Sequence, residues 1–562
     1  MSTPAPQRAG EAPSVARYRA VRDELATPLP ARYNIAAAVC DRWAQRDARP
    51  AMLVPEDGEV RTYTFDHFAQ ASARLANGLA ALGVQRGDRV AICLPQSPEC
   101  ATVHLAVQRL GAIAVPISIL CGTEAVRHRL IDSRTRVLIA AWETQAWIVE
   151  SELAQEITCV MTGTGLPAAV PSLDDLIAAG SPVREPVASS LTDAAILIYT
   201  SGTSGPAKGA LHAQRVVPAH TEPISLAHNR FGLDGDVLWS PADWAWGGGL
   251  IDCLFASWQA GRPIVAWRPR GFDPEAVIDL IERCGITNTF LPPTALKRLR
   301  DAPGIQTRAR RVELRSIMTG GERCGEELIE WSRGVFGVTP NEVYGQTEVS
   351  AVLGNSSTLL PVKPGSVGME YPRARAAVLD DSGTPVDVGQ LGEIALHTST
   401  PAMFLGYWSA ELQRPRSSAH SADGAAHPEW HRTGDLGRID ADGYFWHEGR
   451  RDDVILSSGY RIGPAEVEEI LARHPGVSVA VVVGEPDEQR GQLVSAVIEL
   501  RAGARADAAL EDELKDMVRS QLAAYEVPRR IHFVDEMPRT ESGKVRRGEL
   551  RQRLARAATS PE

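Results

Sequence analysis

The chain has 562 residues, too many for one typical domain, and 44% of them are hydrophobic and 23% charged, as in an ordinary globular protein. The formal net charge of -11 gives no support to nucleic-acid binding through bulk positive charge, so an anion site has to be built locally. The eight cysteines are scattered without a CxxC pair, which favours reduced cytosolic thiols over a disulfide framework or a zinc site.

The first 30 residues are rich in Pro, Ala and Arg, and we expect residues 1–30 to form a flexible N-terminal arm. They lack the apolar core of a signal peptide, and the chain has no uninterrupted apolar stretch of about 18 residues that could span a bilayer. These two observations predict a cytoplasmic protein without a membrane span.

Strands and helices alternate through the first half of the chain. The segment after Thr64 places apolar residues on one helical face, with Thr64 as the N-cap and Gly83 as the stop. Strands are predicted over 89–94 and 112–116, on either side of a helix over 98–110. This alternation predicts a layered α/β domain with much parallel sheet.

The stretch from Ile198 to Gly209, IYTSGTSGPAKG, follows an apolar strand predicted over 194–198. Its glycines let backbone N–H groups turn toward an anion, its hydroxyls add donors, and Lys208 adds a positive charge. The spacing is not that of a Walker A loop, because Ala207 precedes the lysine and Gly209 follows it. A flexible linker is the alternative, but linkers rarely follow a hydrophobic strand. The stretch therefore predicts a polyphosphate site formed by Thr200, Ser201, Gly202, Thr203, Ser204, Gly205 and Lys208.

Three further segments in the first part of the chain carry candidate site residues. Trp246 and a run of three glycines lie between two predicted strands, whereas Trp258 is better explained as core. Residues 315–323, RSIMTGGER, are predicted to be a strand that ends in a glycine turn, which is a weak signal in isolation. Residues 344–348 read YGQTE, and their weight comes from their position beyond the phosphate loop.

The remainder of the chain begins with a polar segment over 411–428, which is predicted to be a mobile surface loop. Asp435 follows in the sequence TGD, and a carboxylate there can accept two hydrogen bonds from a diol. Asp442-Gly443 is predicted to be a hairpin turn, and the basic segment around Lys544 resembles a solvated tail if charge alone is considered. A compact α+β unit is predicted between them, formed by a helix over 466–473, strands over 477–483 and 493–500, and a helix over 507–521.

The stretch YTSGTSGPAKG closely resembles the phosphate loop of the adenylate-forming, AMP-binding enzymes, which include acyl- and aryl-CoA synthetases, adenylation domains of peptide synthetases and firefly-type luciferases. The resemblance extends from about residue 34 to residue 552, with the other motifs in the expected order. It implies an α/β fold with a large multilayered N-terminal domain of mixed and parallel sheets over 31–451. A small, mobile α+β C-terminal domain over 452–562 is expected to rotate about a hinge at Asp452.

The resemblance also implies roles for the motif residues. Tyr344 stacks on adenine, Thr347 contacts the α-phosphate and Glu348 binds Mg²⁺, a cation that prefers carboxylate and phosphate oxygens. Lys544 bridges the substrate carboxylate and the α-phosphate during adenylation, where a well-aimed ammonium contributes about 3 to 4 kcal/mol. Besides the phosphate loop, the implied ATP site consists of Gly321, Glu322, Tyr344, Gly345, Gln346, Thr347, Asp435 and Arg450.

The acyl pocket and the coenzyme A channel are implied in the same way. The implied pocket residues are Trp246, Gly247, Gly248, Gly320 and Gly345. Acetate-specific enzymes of this kind place a tryptophan where this chain has Gly345, so the glycine predicts a deeper pocket and an acid larger than acetate. Rotation about Asp452 is expected to bring the loop around Gly459, with Arg461, to the thiol channel.

The implied activity is that of an ATP-dependent acyl-CoA synthetase for a short- to medium-chain, branched or aromatic acid, with Mg²⁺, ATP and coenzyme A as its small-molecule partners. A stand-alone ligase that loads a carrier-protein pantetheine is one alternative, and a luciferase-like oxidation is less favoured. A non-catalytic nucleotide-binding regulator is disfavoured because it would not need Lys544. The Gly-Lys setting also resembles sites of reversible acetylation, which implies a lysine acetyltransferase acting on Lys544. The oligomeric state is left open.

Overall fold

The computed structural model describes residues 12–44, 48–56, 58–200, 207–268, 271–416, 429–457, 460–487, 490–540 and 544–559. The chain divides into two compact units, and each is described by itself. The first unit comprises Met1–Arg375 and His397–His431, and the second comprises Ala376–Leu396 and Arg432–Glu562. The predicted domain boundary at Asp452 therefore differs from the division into compact units, which assigns a pair of earlier segments to the second unit.

Regular structure follows the chain in this order. The helices are α1 (Pro13–Leu25), α2 (Phe65–Ala81), α3 (Pro98–Arg109), α4 (Thr123–Asp132), α5 (Trp142–Gln145), α6 (Leu173–Ala179), α7 (Val216–Ala227), α8 (Gly247–Gly249), α9 (Ala256–Gln259), α10 (Pro274–Cys284), α11 (Pro293–Asp301), α12 (Ile305–Ala309), α13 (Glu326–Phe336), α14 (Pro464–Ala472), α15 (Ala508–Gln521) and α16 (Arg547–Thr559). The strands are β1 (Pro50–Glu56), β2 (Glu59–Thr64), β3 (Arg89–Cys93), β4 (Ile113–Pro116), β5 (Val137–Ala141), β6 (Thr158–Thr162), β7 (Ala194–Thr200), β8 (Lys208–Ala213), β9 (Leu238–Trp239), β10 (Ile264–Val265), β11 (Asn288–Phe290), β12 (Ser316–Gly320), β13 (Asn341–Gln346), β14 (Ser350–Gly354), β15 (Ser366–Glu370), β16 (Ala376–Leu379), β17 (Gly392–His397), β18 (Gly406–Ser409), β19 (Arg414–Arg416), β20 (Trp430–Ile439), β21 (Phe445–Arg450), β22 (Ile455–Ser457), β23 (Tyr460–Ile462), β24 (Val477–Asp487), β25 (Gly491–Leu500) and β26 (Arg530–Val534).

Two sheets organise the first unit. One has eight strands in the order β19-β18-β8-β7-β4-β3-β5-β6, and the other runs β15-β14-β13-β12-β11-β9-β10-β1-β2. Strands β9, β11, β12 and β13 run parallel to one another, whereas β14 is antiparallel to β13. The carboxyl ends of these parallel strands consequently meet at one edge, the position where ligands usually bind in α/β sheets.

The elements predicted in the first unit from hydrophobic periodicity are confirmed. The side chain of Thr64 caps α2 by accepting a hydrogen bond from the backbone N–H of His67 at 3.3 Å, and Gly83 follows the helix with φ +85°. Trp258 is fully buried and donates from Nε1 to the carbonyl of Ala51 at 2.7 Å, as expected of a core residue. A buried aromatic with its N–H paired is the usual arrangement in a close-packed interior.

The N-terminal arm corrects one prediction, because most of its described part is a helix rather than a flexible segment. Pro13 starts α1 as its first residue, and Val15 and Tyr18 are buried on one face of the helix. The hydroxyl of Tyr18 donates to the carbonyl of Glu370 at 3.0 Å. Arg373 also donates to the carbonyls of Leu25 and Thr27, at the end of this arm. The arm is therefore packed against the first unit from its first helical turn onward.

The second unit contains the α+β structure that the sequence predicts. Strands β23-β22-β25-β24 with β26 form a five-stranded sheet, and α14 and α15 pack on it through an apolar cluster that includes Val467, Ile470 and Leu514. Asp507 caps α15 by accepting from the backbone N–H of Leu510 at 3.0 Å. The predicted Asp442-Gly443 hairpin joins β20 and β21, with Gly443 at φ +94°.

Several predictions fall outside the described residues. These are the phosphate-loop residues Ser201, Gly202, Thr203, Ser204 and Gly205, the CoA residue Gly459, the side chain of Arg461 and most of the surface loop over 411–428. The described beginning of that loop differs from the prediction, because β19 pairs with β18. Among the described helices, none is both long enough and apolar enough to cross a bilayer.

Candidate active site

The predicted phosphate loop joins two antiparallel strands of the eight-stranded sheet. Thr200 at the end of β7 lies opposite Lys208 at the start of β8, and the Thr200 hydroxyl donates to the Lys208 carbonyl at 3.5 Å. His128 of α4 donates from Nε2 to the carbonyl of Ala207 at 2.9 Å. These bonds fix the backbone where the loop returns to the sheet, and the Lys208 side chain is exposed there.

The YGQTE motif forms the end of a strand and the turn that follows it. Tyr344, Gly345 and Gln346 end β13, and residues 347–349 make the turn to the antiparallel strand β14. Tyr344 is buried, whereas Thr347 and Glu348 are half-buried at the turn. The motif therefore presents its hydroxyl and carboxylate at the carboxyl edge of the parallel strands.

Two buried histidines hold the carbonyl groups of this turn. His212 of β8 donates from Nε2 to the carbonyl of Thr347 at 2.7 Å, and His220 of α7 contacts the carbonyl of Val349 at 3.0 Å. Burial lowers the pKa of His212 to about 4, so the ring is neutral at pH 7 and carries its proton on Nε2. The backbone N–H of Phe404 also donates to the carbonyl of Glu348 at 2.8 Å. The turn is thus fixed to the eight-stranded sheet.

The buried carboxylate of Asp252 is hydrogen-bonded to Ser350, the first residue of β14 after the turn. The Ser350 hydroxyl lies 2.8 and 2.7 Å from the two carboxylate oxygens of Asp252, although Ser350 itself has φ +53°, which is uncommon for a residue with a side chain. Burial raises the pKa of Asp252, while the nearby charge of His220 and the bond from Ser350 oppose that shift. Asp252 lies in a π-helix, Leu250–Phe255, directly after the Gly-Gly-Gly run. This bond connects the helix that follows the predicted pocket glycines to the YGQTE hairpin.

The side chains of Lys208 and Glu348 both lie beside Tyr407. The hydroxyl of Tyr407 donates to Oε1 of Glu348 at 2.5 Å, and Nζ of Lys208 lies 5.7 Å from the centre of the Tyr407 ring. Tyr407 reaches this place from β18, where it pairs with Ala210 of β8. The structure therefore brings together the cation of the first motif and the carboxylate of the second.

The segment that leads to the glycine run is held rigidly by polar side chains. Asp243 is buried, accepts from the Ser118 hydroxyl at 2.6 Å and forms an ion pair with Arg268 at 2.8 Å. It also accepts from the backbone N–H of Ala245 at 3.0 Å. Trp246 follows and is half-buried, so its indole remains accessible for contact with a substrate.

The glycines of the predicted pocket differ in how much space a side chain would have at each position. A Cβ at Gly247 would meet only the Ser350 hydroxyl oxygen at 3.9 Å, whereas a Cβ at Gly248 would lie 3.0 Å from the Phe290 ring. A Cβ at Gly320 would lie 2.8 Å from the carbonyl oxygen of Val343 in the neighbouring strand. Gly247 is therefore the pocket glycine with room for a side chain.

Gly345 has a structural reason that is independent of the pocket. A Cβ on Gly345 would lie 1.8 Å from the carbonyl oxygen of Ser350 and 2.4 Å from its carbonyl carbon. The missing side chain therefore makes room for the facing backbone of the hairpin, where the strand register shifts. The inference of a deep pocket from Gly345 loses its support, and the role of this residue in acid selection stays a prediction.

Two predicted nucleotide residues form an ion pair in the second unit. Asp435 of β20 lies opposite Arg450 of β21, and a guanidinium nitrogen of Arg450 lies 3.0 Å from Oδ1 of Asp435. The same nitrogen donates to the carbonyl of Thr433 at 3.0 Å. Gly434 has φ +73° beside this pair. A buried carboxylate and a half-buried guanidinium at one site can bind a diol and a phosphate, as the resemblance implies.

The predicted hinge and the predicted catalytic lysine also lie in the second unit. Arg451 contacts Glu393 at 3.2 Å on one side of Asp452, and Asp453 contacts Arg551 at 3.1 Å on the other side. Lys544 is exposed, and its backbone exchanges hydrogen bonds with Thr540 at 2.7 and 3.1 Å. The hinge role of Asp452 and the catalytic role of Lys544 stay predictions.

The site contains residues that the sequence did not single out, namely His128, His212, His220, Asp252 and Tyr407. A histidine inside the apolar strand GALHA was a signal for a buried hydrogen bond, whereas Tyr407 gave no comparable signal. Among the described residues, no group of three or more His, Cys, Asp or Glu side chains could hold a metal ion. Glu348 by itself fits a cation that takes its remaining oxygens from nucleotide phosphates and water.

Comparisons with known proteins agree with this arrangement. The family model described as AMP-binding enzyme matches residues 39–408, and that of the AMP-binding enzyme C-terminal domain matches residues 466–544. The mitochondrial acyl-coenzyme A synthetase ACSM4 of Homo sapiens is 34% identical over 546 residues, which cover 93% of this chain and 91% of that protein. The acetyl-coenzyme A synthetase of Bacillus subtilis is 31% identical over 530 residues, which cover 92% of this chain and 90% of that protein.

A solved structure gives the same result at the level of the fold. The crystal structure of the anthranilate CoA ligase AuaEII in complex with anthranoyl-AMP matches with a TM-score of 0.84 and 28% identity, over 95% of this chain and 100% of that chain. The motifs, the fold and the relatives all indicate one chemistry. The chain belongs to the AMP-binding enzyme family, as an AMP-forming acid–thiol ligase of the acyl-CoA synthetase type.

Proposed function

We propose that the chain activates a short- to medium-chain, branched or aromatic carboxylic acid as its acyl-adenylate and transfers the acyl group to coenzyme A. The observation that carries this proposal is the junction of the two motifs, where Tyr407 links Lys208 to Glu348 and His212 holds Thr347. The cation of the phosphate-loop motif and the carboxylate of YGQTE thus lie on either side of Tyr407, and the turn that carries Thr347 is held through its backbone carbonyl.

The proposed reaction has two balanced steps. A carboxylate oxygen of the acid attacks the α-phosphorus of ATP, and the bond from that phosphorus to the bridging oxygen of pyrophosphate breaks. The thiol of coenzyme A then loses its proton and attacks the acyl carbonyl, and AMP leaves with the oxygen that the acid contributed. Attack of one anion on another becomes feasible only where positive charge offsets their repulsion.

Named residues supply that offset in the proposal. Lys208 neutralises phosphate charge, the Thr347 hydroxyl donates to an α-phosphate oxygen, and Lys544 is proposed to bridge the acid and the α-phosphate. Glu348 would hold Mg²⁺ together with phosphate oxygens of ATP, and the bound ion would supply further charge neutralisation. Asp435 and Arg450 are proposed to contact the ribose. The backbone of the turn that carries Thr347 and Glu348 is held by His212 and Phe404, which supports a positioned α-phosphate and cation in this proposal.

The acid is proposed from the pocket residues and from the relatives. Gly247 has room beside it and Trp246 is half-buried, so an apolar or aromatic tail has an indole face to contact. Two of the compared proteins carry substrate names, anthranilate in one case and acetate in the other. Because these two substrates differ widely in size, the proposal covers short-chain, branched and aromatic acids alike.

The decisive experiment is AMP release from Mg·ATP with a panel of acids, from acetate to decanoate together with isobutyrate, benzoate and phenylacetate. We expect one group of these acids to release AMP only when coenzyme A is present. Pyrophosphate exchange without CoA-dependent AMP release would instead indicate another thiol acceptor, such as a carrier-protein pantetheine. Absence of both reactions with every acid would contradict the proposal.

Two further predictions accompany the function. Lys544 is exposed, which permits access for the lysine acetyltransferase that the motif implies as a partner. Mass spectrometry of protein from its native host would show an acetyl group on Lys544 if this holds. The cytoplasmic location also stays a prediction.

A further inference from the structure

Tyr407 occupies the space between two groups of opposite charge. Its hydroxyl donates to Glu348 at 2.5 Å, and its ring lies 5.7 Å from the Lys208 ammonium. Phe404 packs against the same ring with its plane at 78°, at a centroid distance of 5.1 Å. In the described part of the chain, Lys208 and Glu348 form no ion pair with each other. Each charged group thus interacts with Tyr407 rather than with the other charged group.

This separation has a chemical consequence. A direct ion pair would neutralise the lysine that is proposed to bind phosphate and the carboxylate that is proposed to bind a cation. A phenol hydroxyl uses one carboxylate oxygen, Oε1, and leaves Oε2 with free lone pairs for a divalent cation. The ring face attracts the ammonium while its three N–H donors remain available to phosphate oxygens.

We propose that Tyr407 is a positioning residue that keeps Glu348 oriented for a divalent cation and Lys208 separate from it. This inference rests on the proposed function. Tyr407 does not touch the reacting atoms in this account; it acts through Glu348 with its hydroxyl and through Lys208 with its ring. The two parts of the side chain can therefore be tested separately.

Two substitutions divide the side chain into those parts. Tyr407→Phe removes the hydroxyl and keeps the ring beside Lys208, whereas Tyr407→Leu removes both. Tyr18→Phe is a matched control, because it deletes a buried tyrosine hydroxyl that donates to the Glu370 carbonyl, far along the sequence from both motifs. Thermal unfolding of each variant establishes that it is folded before binding is compared.

The readout is binding of a non-hydrolysable ATP analogue by calorimetry, once with Mg²⁺ and once with EDTA. For Tyr407→Phe we expect a roughly tenfold loss of affinity with Mg²⁺ and less than a twofold change with EDTA, because a hydrogen bond to a charged group is lost only from the cation site. For Tyr407→Leu we expect loss under both conditions, and for Tyr18→Phe under neither. Electron paramagnetic resonance of bound Mn²⁺ should rank the variants in the same order of affinity.

The outcomes separate this inference from the function on which it rests. Equal affinities of Tyr407→Phe and the wild type with Mg²⁺ would overturn it, and so would equal losses with Mg²⁺ and EDTA, which indicate a structural role. If the wild type releases AMP with an acid but Tyr407→Phe binds like the wild type, the inference fails while the function stands. If the wild type shows no Mg²⁺-dependent nucleotide binding, both fail.

Discussion

A methyl group at Gly345 is expected to displace the YGQTE hairpin. The Cβ of an alanine there would lie 1.8 Å from the Ser350 carbonyl oxygen, whereas ordinary contact begins at 3.4 Å. The facing strands must therefore separate by about 1.6 Å, the difference between these distances. Overpacking of this kind costs about 1–3 kcal/mol, and the obstacle here is backbone, which cannot rotate away as a side chain can.

The same displacement should reduce the rate of adenylation as well as the stability. Thr347 and Glu348 lie in the turn that would move, and a misplacement of about 1 Å in a catalytic group can cost about 100-fold in rate. We therefore expect Gly345→Ala to lower acid-dependent pyrophosphate exchange by about 100-fold and the free energy of unfolding by about 1–3 kcal/mol. Urea unfolding and the exchange assay measure the two quantities on one preparation.

Gly334→Ala is the matched control for Gly345→Ala. Gly334 lies exposed in α13, and a Cβ there would meet no atom within 4 Å. A helical alanine should raise the free energy of unfolding by about 0.4–1 kcal/mol and leave exchange unchanged. If Gly345→Ala had the pyrophosphate exchange rate and the stability of the wild type, the close approach of the two strands would be refuted. The explanation of Gly345 as open pocket space would then be restored.

Three other predictions concern ionisable groups. Burial lowers the pKa of His212 to about 4 and the pKa values of His104 and His228 to about 3, below the usual 6.5. The unfolded chain therefore binds more protons, and stability should fall as the pH drops from about 6.5 toward 4, by up to about 1.4 kcal/mol per pH unit for each histidine. Burial raises the pKa of Glu342 from its usual 4.5 to about 8, so the folded chain binds an extra proton between these values. Wild-type stability should therefore lose a contribution as the pH rises from about 4.5 to about 8 and level off above 8, whereas Glu342→Gln lacks this loss. Lys544→Ala should abolish most adenylation yet spare CoA transfer from a supplied acyl-adenylate.

Each of these predictions has an outcome that contradicts it. Urea unfolding that is independent of pH between 6.5 and 4 would mean that the buried histidines open to solvent and titrate normally. The same pH dependence of stability in Glu342→Gln and the wild type between about pH 4.5 and 8 would show that the Glu342 carboxyl ionises in the folded chain as it does in the unfolded chain. Equal loss of both half-reactions in Lys544→Ala would contradict a role confined to adenylation.

Elements with strong local signals could be predicted from the sequence. The helix after Thr64 has a cap, a stop and a continuous apolar face, and these signals involve neighbouring residues only. The N-terminal helix α1 has two buried positions, Val15 and Tyr18, in a segment that is also rich in arginine. This helix also makes hydrogen bonds with Glu370 and Arg373, which are distant in the sequence and which no local pattern reveals.

The support of the site could not be predicted for the same reason. The motifs carry the groups that contact ligands, but the bonds that orient them join distant positions. His212 is 135 residues from Thr347, Asp252 is 98 from Ser350, and Tyr407 is 59 from Glu348. Gly345 has a structural requirement that the sequence did not reveal, because a Cβ there would lie 1.8 Å from the carbonyl oxygen of Ser350 in the facing strand.

The most direct test of the proposed chemistry follows the oxygen atoms of the acid. An acid that is active in the panel is labelled with ¹⁸O in both carboxylate oxygens and converted with Mg·ATP and coenzyme A. Attack of the carboxylate on the α-phosphorus predicts AMP that carries one ¹⁸O, because the bridging oxygen stays on phosphorus when the thiol displaces AMP. AMP without label, or label in released phosphate with ADP as the product, would contradict an acyl-adenylate.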